Sequence, residues 1–104
     1  EYYIKAIKVR TKIIDEYKQL FKRFDGLISP TMPILPPSFK ELDKLTPLQH
    51  YMADIMTVGP NLAGLPHINI PIGQKDGLPI GMMIICDHLQ EGKLLQTEKV
   101  LILN

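Results

Sequence analysis

Tryptophan is absent, cysteine occurs once and serine only twice in this chain of 104 residues. A single cysteine, Cys86, cannot form an internal disulfide, so a disulfide scaffold is excluded and a reducing, cytoplasmic compartment fits. No apolar run approaches the ~20 residues that a membrane-spanning helix needs. The first residues, charged and aromatic, do not read as a signal peptide. A glycine-rich phosphate loop is missing too, because the seven glycines are dispersed through turns and strands. His50, His67 and His88 have no second ligand three or four residues away, which argues against a metal site. The net charge is only +1, so overall charge names no partner.

What remains is an ordinary folded composition, 45% hydrophobic and 22% charged, in a length that suffices for one small domain. Apolar residues at Tyr3, Ala6, Ile7, Ile13, Ile14, Tyr17, Leu20, Phe21 and Phe24 recur at three- and four-residue spacing, which predicts one amphipathic helix. Seven of the twelve basic residues lie between Lys5 and Arg23, as a solvated helix face or a weak attraction for phosphate or an acidic partner. Arg10 interrupts the apolar stripe. Either its stem packs while its head reaches water, or its guanidinium turns inward to a carboxylate or a loop carbonyl.

Asp25-Gly26 ends this helix, and Leu27-Ile28-Ser29 opens a short strand. Five of the nine prolines then fall within residues 30–47, which predicts a stiff, extended surface connection. Ser29 and Thr31 have no base nearby in sequence, so both hydroxyls are expected to bond backbone groups at the turn. Thr46-Pro-Leu-Gln49 is a capping box that starts a helix through about Met56. Leu48, Met52 and Ile55 share one face of it. Asp54 projects elsewhere, either to solvent or to cap a following turn near Thr57.

An Asn-Leu-Ala run before Gly64 reads as a helix end with glycine in the left-handed position beyond it, and Pro66 forbids a restart. Strands follow at 67–72 and 80–86, joined by a turn in which Asp76-Gly77 supplies positive φ. Pro71 places the first at an edge or at its end, and near-continuous apolar sequence makes the second a central strand covered on both faces. Cys86 is then a buried filler. A last helix begins at Glu91, with Leu94, Leu95, Val100 and Leu101 as candidate core positions.

Three strings stand out: Asn61-Leu-Ala-Gly-Leu-Pro66, the Ile-x-Ile-Pro-x-Gly73 strand, and Asp76-Gly-Leu-Pro-Ile-Gly81. With Lys8-Val-Arg10, Ser29-Pro-Thr31 and Tyr51-Met-Ala-Asp54, they resemble the C-terminal part of the amidase signature family, and in particular its tRNA-dependent amidotransferase branch. Gly59-Pro60, His67 and Met83 depart from that pattern. The resemblance implies an α/β fold, with residues 1–104 forming a portion of a larger mixed sheet flanked by helices. It implies a subunit that hydrolyses glutamine to supply ammonia for converting Glu-tRNA(Gln) to Gln-tRNA(Gln). Asp54 is then the substrate contact, binding the α-ammonium of glutamine.

The expected partners are the other amidotransferase subunits, glutamine and, through the complex, charged tRNA. No cofactor is expected in this chain, ATP and Mg²⁺ being used by the partner subunit. The family's Ser-Ser-Lys catalytic group has no counterpart here. Both ends read as cut, the chain as a fragment, and the 104 residues as inactive alone. Two other readings stay open: part of a stand-alone amidase acting on a small carboxamide, and a non-enzymatic interaction domain.

Overall fold

The computed structural model describes residues 1–103; Asn104, the end of the C-terminal apolar run, lies outside them. The predicted first helix is α1 (Tyr2–Phe21), which starts without a side-chain cap at Glu1 and ends with Lys22 as its C-cap, short of the expected stop at Asp25-Gly26. Only its second half is covered. Ile13, Ile14, Tyr17 and Phe21 pack against the buried cluster of Ala63, Leu65, Met83 and Ile85, with the Tyr17 and Phe21 rings stacked. Tyr3 and Ile7, expected on the same buried stripe, are exposed, because α1 outruns the elements that cross it.

Three strands form the sheet: β1 (Leu27–Pro30), β2 (His67–Lys75) and β3 (Leu78–Ile85), in the order β1-β3-β2 and antiparallel throughout. β3 is central, as its apolar run predicts, and Met83, Ile84, Ile85 and Cys86 are all buried. Alternation divides them between two faces. Met83 and Ile85 meet α1 and the segment at Ala63, while Ile84 and Cys86 meet Ile70 and Leu94. The β2–β3 turn is the expected one, with φ of 54° at Asp76 and 76° at Gly77.

β2 runs past its expected end, through Pro71 to Lys75. An edge strand pairs on one side only, so a residue without a donor is tolerated there, and the register shifts between Pro71 and Gly73.

The helix expected from the Thr46 capping box through Met56 is two helices. α3 (Pro47–Met52) carries the box, with Thr46 Oγ1 accepting from the Gln49 N–H and Gln49 Oε1 from the Thr46 N–H. α4 (Ile55–Ala63) follows a break at Ala53 and Asp54 and ends at Gly64 with φ 71°. The proline-rich connection also contains α2 (Phe39–Asp43), started by a second capping box between Ser38 and Glu41 that the density of prolines obscured.

The last helix is α5 (Glu91–Leu103). Of its four candidate core positions only Leu94 is buried, and Leu95, Val100 and Leu101 face outward. The layers make a slab of 47 × 41 × 17 Å. Its accessible surface is 8136 Å², against about 5,900 Å² for a compact chain of this mass, so much apolar surface is uncovered. Among the described residues no helix is long and apolar enough to cross a membrane.

Candidate functional site

α3 and α4 meet at Asp54, whose φ of −98° and ψ of 6° take the chain out of one helix and into the next. Its backbone is fully used. The carbonyl accepts from the Thr57 and Val58 N–H groups and the Thr57 hydroxyl, and the N–H donates to the Tyr51 carbonyl. Its side chain makes no capping bond and is exposed, although its position is that of an N-cap. A carboxylate not spent on its own helix is available to a ligand. On either side of it, Ala53 and Ile55 line an apolar groove with Pro33, Ile34, Leu45 and Met52, where the proline-rich segment folds over α3.

The far end of α4 is where sequence reasoning saw least. Arg10 combines its two readings: it stays exposed to water, and its Nε donates to a carbonyl, that of Leu62, at 2.7 Å. The His88 Nε2 lies 2.8 Å from the Ala63 carbonyl. A carbonyl only accepts, so Nε2 carries the proton. His67 turns back on its own strand start, with Nδ1 2.8 Å from the Leu65 carbonyl, and His50 lines a second apolar groove beside Pro36 and Pro79. Among the described residues no three His, Cys, Asp or Glu side chains converge as metal ligands.

Beside His88, Asp87 accepts from the Lys18 Nζ at 2.5 Å and from the His88 N–H at 2.8 Å. The Lys18 bond above all holds its carboxyl below the usual carboxylate range, partial burial opposing and the His88 N–H assisting. Lys18 and Arg10 thus reach partners on other elements while staying accessible to water.

A carboxyl depressed in the folded state contributes stability above its unfolded pKa of about 3.9 and loses it as pH falls through the folded value. Asp87→Asn is therefore expected to lower the melting temperature at neutral pH and to match the unsubstituted protein near pH 2, as thermal scans across that range would check. An equal gap at both ends would remove this linkage.

The hydroxyls considered as nucleophiles are occupied. Ser29 Oγ donates to the Pro30 carbonyl, as expected of a turn serine. Thr31 differs: its hydroxyl donates across the sheet to Asn69 Oδ1. Ser38 caps α2. Cys86 is buried, and burial pushes its thiol up, against a smaller pull from Lys93, so it stays protonated and inert.

Residues 1–95 match the Amidase family model. The chain is 48% identical over 99 residues to a glutamyl-tRNA(Gln) amidotransferase subunit of Archaeoglobus fulgidus, covering 95% of this chain and 21% of that protein. The corresponding Moraxella catarrhalis protein is 43% identical over 95% of this chain and 20% of its own length. The crystal structure of the Thermotoga maritima glutamyl-tRNA(Gln) amidotransferase subunit superposes with a TM-score of 0.83 at 39% identity, over 89% of this chain and 20% of that one. Kluyveromyces lactis allophanate hydrolase superposes with a TM-score of 0.81 at 30% identity, over 92% and 16%. The chain spans about a fifth of the length of the curated relatives it matches. With the family model matched along nearly all of its residues and the fold shared with solved members, this chain belongs to the amidase family.

Proposed function

We propose that this chain is part of the glutaminase subunit of a glutamyl-tRNA(Gln) amidotransferase, which hydrolyses glutamine so that a partner subunit can convert Glu-tRNA(Gln) to Gln-tRNA(Gln). The observation that carries this reading is the identity of nearly half the residues with the Archaeoglobus fulgidus amidotransferase subunit over 95% of the chain. In the proposal Asp54 binds the α-ammonium of glutamine. Its carboxylate is exposed at the α3–α4 break and unspent on capping. A charge-assisted bond there separates a free amino acid from a plain amide.

The nucleophile, bridging serine and lysine are assigned to the protein outside these residues, since Ser29 and Ser38 are taken up by backbone bonds. ATP, Mg²⁺ and charged tRNA belong to the partner subunits' half of the reaction. The uncovered first half of α1 is assigned to contacts with the remainder of the subunit.

The test is Asp54→Asn in the full-length subunit with its partners, read as glutamine-dependent ammonia release. Loss of a charged hydrogen bond of about 1.5–3 kcal/mol is expected to raise KM for glutamine at least tenfold. An unchanged KM would sink the role of Asp54 and favour an amidase acting on a simple carboxamide.

A further inference from the structure

Every helix leaves its last four carbonyls without partners in its own ladder. In α4 all four are satisfied, two locally and two from a distance. The Leu65 N–H donates to the Pro60 carbonyl at 3.0 Å and the Gly64 N–H to the Asn61 carbonyl at 3.2 Å, which is the wrap that a left-handed Gly64 permits. The other two are held by side chains, Leu62 by Arg10 and Ala63 by His88. Arg10 comes from α1 and His88 from the segment after β3. That segment is itself tied to α1, because Asp87 accepts both from Lys18 and from the His88 N–H. α1 therefore grips the end of α4 twice, directly through Arg10 and indirectly through Lys18, Asp87 and His88.

α4 needs such a grip more than most helices. It has nine residues, fewer than the ~12–15 at which an isolated helix becomes even marginal. Gly59 and Pro60 stand in its middle, residues that disfavour a helix by about 1 and 3 kcal/mol relative to alanine. Proline also has no N–H for the Met56 carbonyl. Direction and firmness therefore come from what holds the helix outside its own ladder.

At the opposite end the backbone of Asp54 is fixed to the first turn by the bonds from Thr57 and Val58, so any tilt of α4 carries Asp54 with it. For nine residues at 1.5 Å each, a tilt of ten degrees about the C-terminal end moves Asp54 by roughly 2 Å. That is enough to lose a hydrogen bond.

We propose that Arg10 and His88 are positioning residues for ligand binding by Asp54, clamping the last two carbonyls of α4 and so fixing the carboxylate at its first. The proposal rests on the reading of Asp54 given above, and a double-mutant cycle separates the two.

In the full-length complex, His88→Ala is expected to raise KM for glutamine about threefold or more with kcat within about twofold, and His88→Gln, which keeps an N–H donor, to restore most of it. In an Asp54→Asn background, His88→Ala is expected to add no further rise, because both changes act on one contact. If Asp54→Asn alone leaves KM unchanged, the reading of Asp54 fails and the clamp's role with it. If Asp54→Asn raises KM but His88→Ala does not, or multiplies the effect in the double variant, the clamp is overturned and Asp54 stands. Should His88→Ala fail to fold, Arg10→Met, which keeps the stem and loses the donor, reads the same split: a KM rise absent from the Asp54→Asn background supports the clamp, and any other result overturns it.

Discussion

Replacing Ile84 by alanine is expected to lower the stability of the intact protein by about 2–5 kcal/mol, the cost of lost transfer energy plus an unfilled cavity. Ile84 is 1% exposed near the C-terminal end of β3, the central strand that pairs with both neighbours, and it packs among Ile70, Cys86 and Leu94. Strands on either side fix its backbone, so collapse around the missing atoms is limited and the upper part of the range applies. Ile84→Val removes one methylene and is expected to cost only about 0.5–1.5 kcal/mol. Denaturant midpoints for the two variants would check the ratio. Equal, small losses would mean that the face under α5 is loosely packed.

This central position was legible because a buried strand writes itself as an unbroken apolar run, and Ile80 to Cys86 is such a run. Turns and caps were legible for a similar local reason: Asp76-Gly77, Gly64 and the Thr46 box each have chemistry that few other conformations can use. The second capping box, Ser38 with Glu41, carried the same signal and was outvoted by the prolines around it. Nothing local marks the break at Asp54. Ala53 and Asp54 both tolerate a helix, so no residue there signals a stop.

The alternation of Ile68, Ile70 and Ile72 predicts one buried face, yet Ile70 is buried and Ile72 is 57% exposed. The register shift between Pro71 and Gly73 lies in the way, and an inserted residue interrupts the alternation on which such a prediction depends. The clamp on α4 was the least legible part. Arg10 lies 52 residues from Leu62, and His88 lies 25 from Ala63. The position of Arg10 on the apolar stripe of α1 was the one available clue, since a cation on that face either reaches water or finds an acceptor.

The second large effect concerns Gly81, the last glycine of the string by which the chain resembles its family. Its φ is not positive, so the reason for glycine is space and not conformation. A β-carbon at Gly81 would collide with the side-chain amide of Asn69, closest at Oδ1 and 3.1 Å from Nδ2. That amide is exposed and can swing away, but only by giving up a hydrogen bond. Asn69 Oδ1 accepts the Thr31 hydroxyl, and the Thr31 N–H donates to the Gly81 carbonyl at 3.4 Å, so the three residues bridge all three strands.

Gly81→Ala therefore forces Asn69 off its partner and is expected to cost about 0.5–1.5 kcal/mol, the worth of the hydrogen bond lost. Away from a clash, alanine for glycine in a strand is worth roughly 0.5–1 kcal/mol through reduced freedom of the unfolded chain. The sign should consequently reverse in an Asn69→Ala background, where Gly81→Ala becomes neutral or stabilising. Thermal unfolding of the two single variants and the double variant would decide it. If Gly81→Ala costs the same with and without the Asn69 amide, the glycine answers to the backbone of β3 and not to the bridge across it.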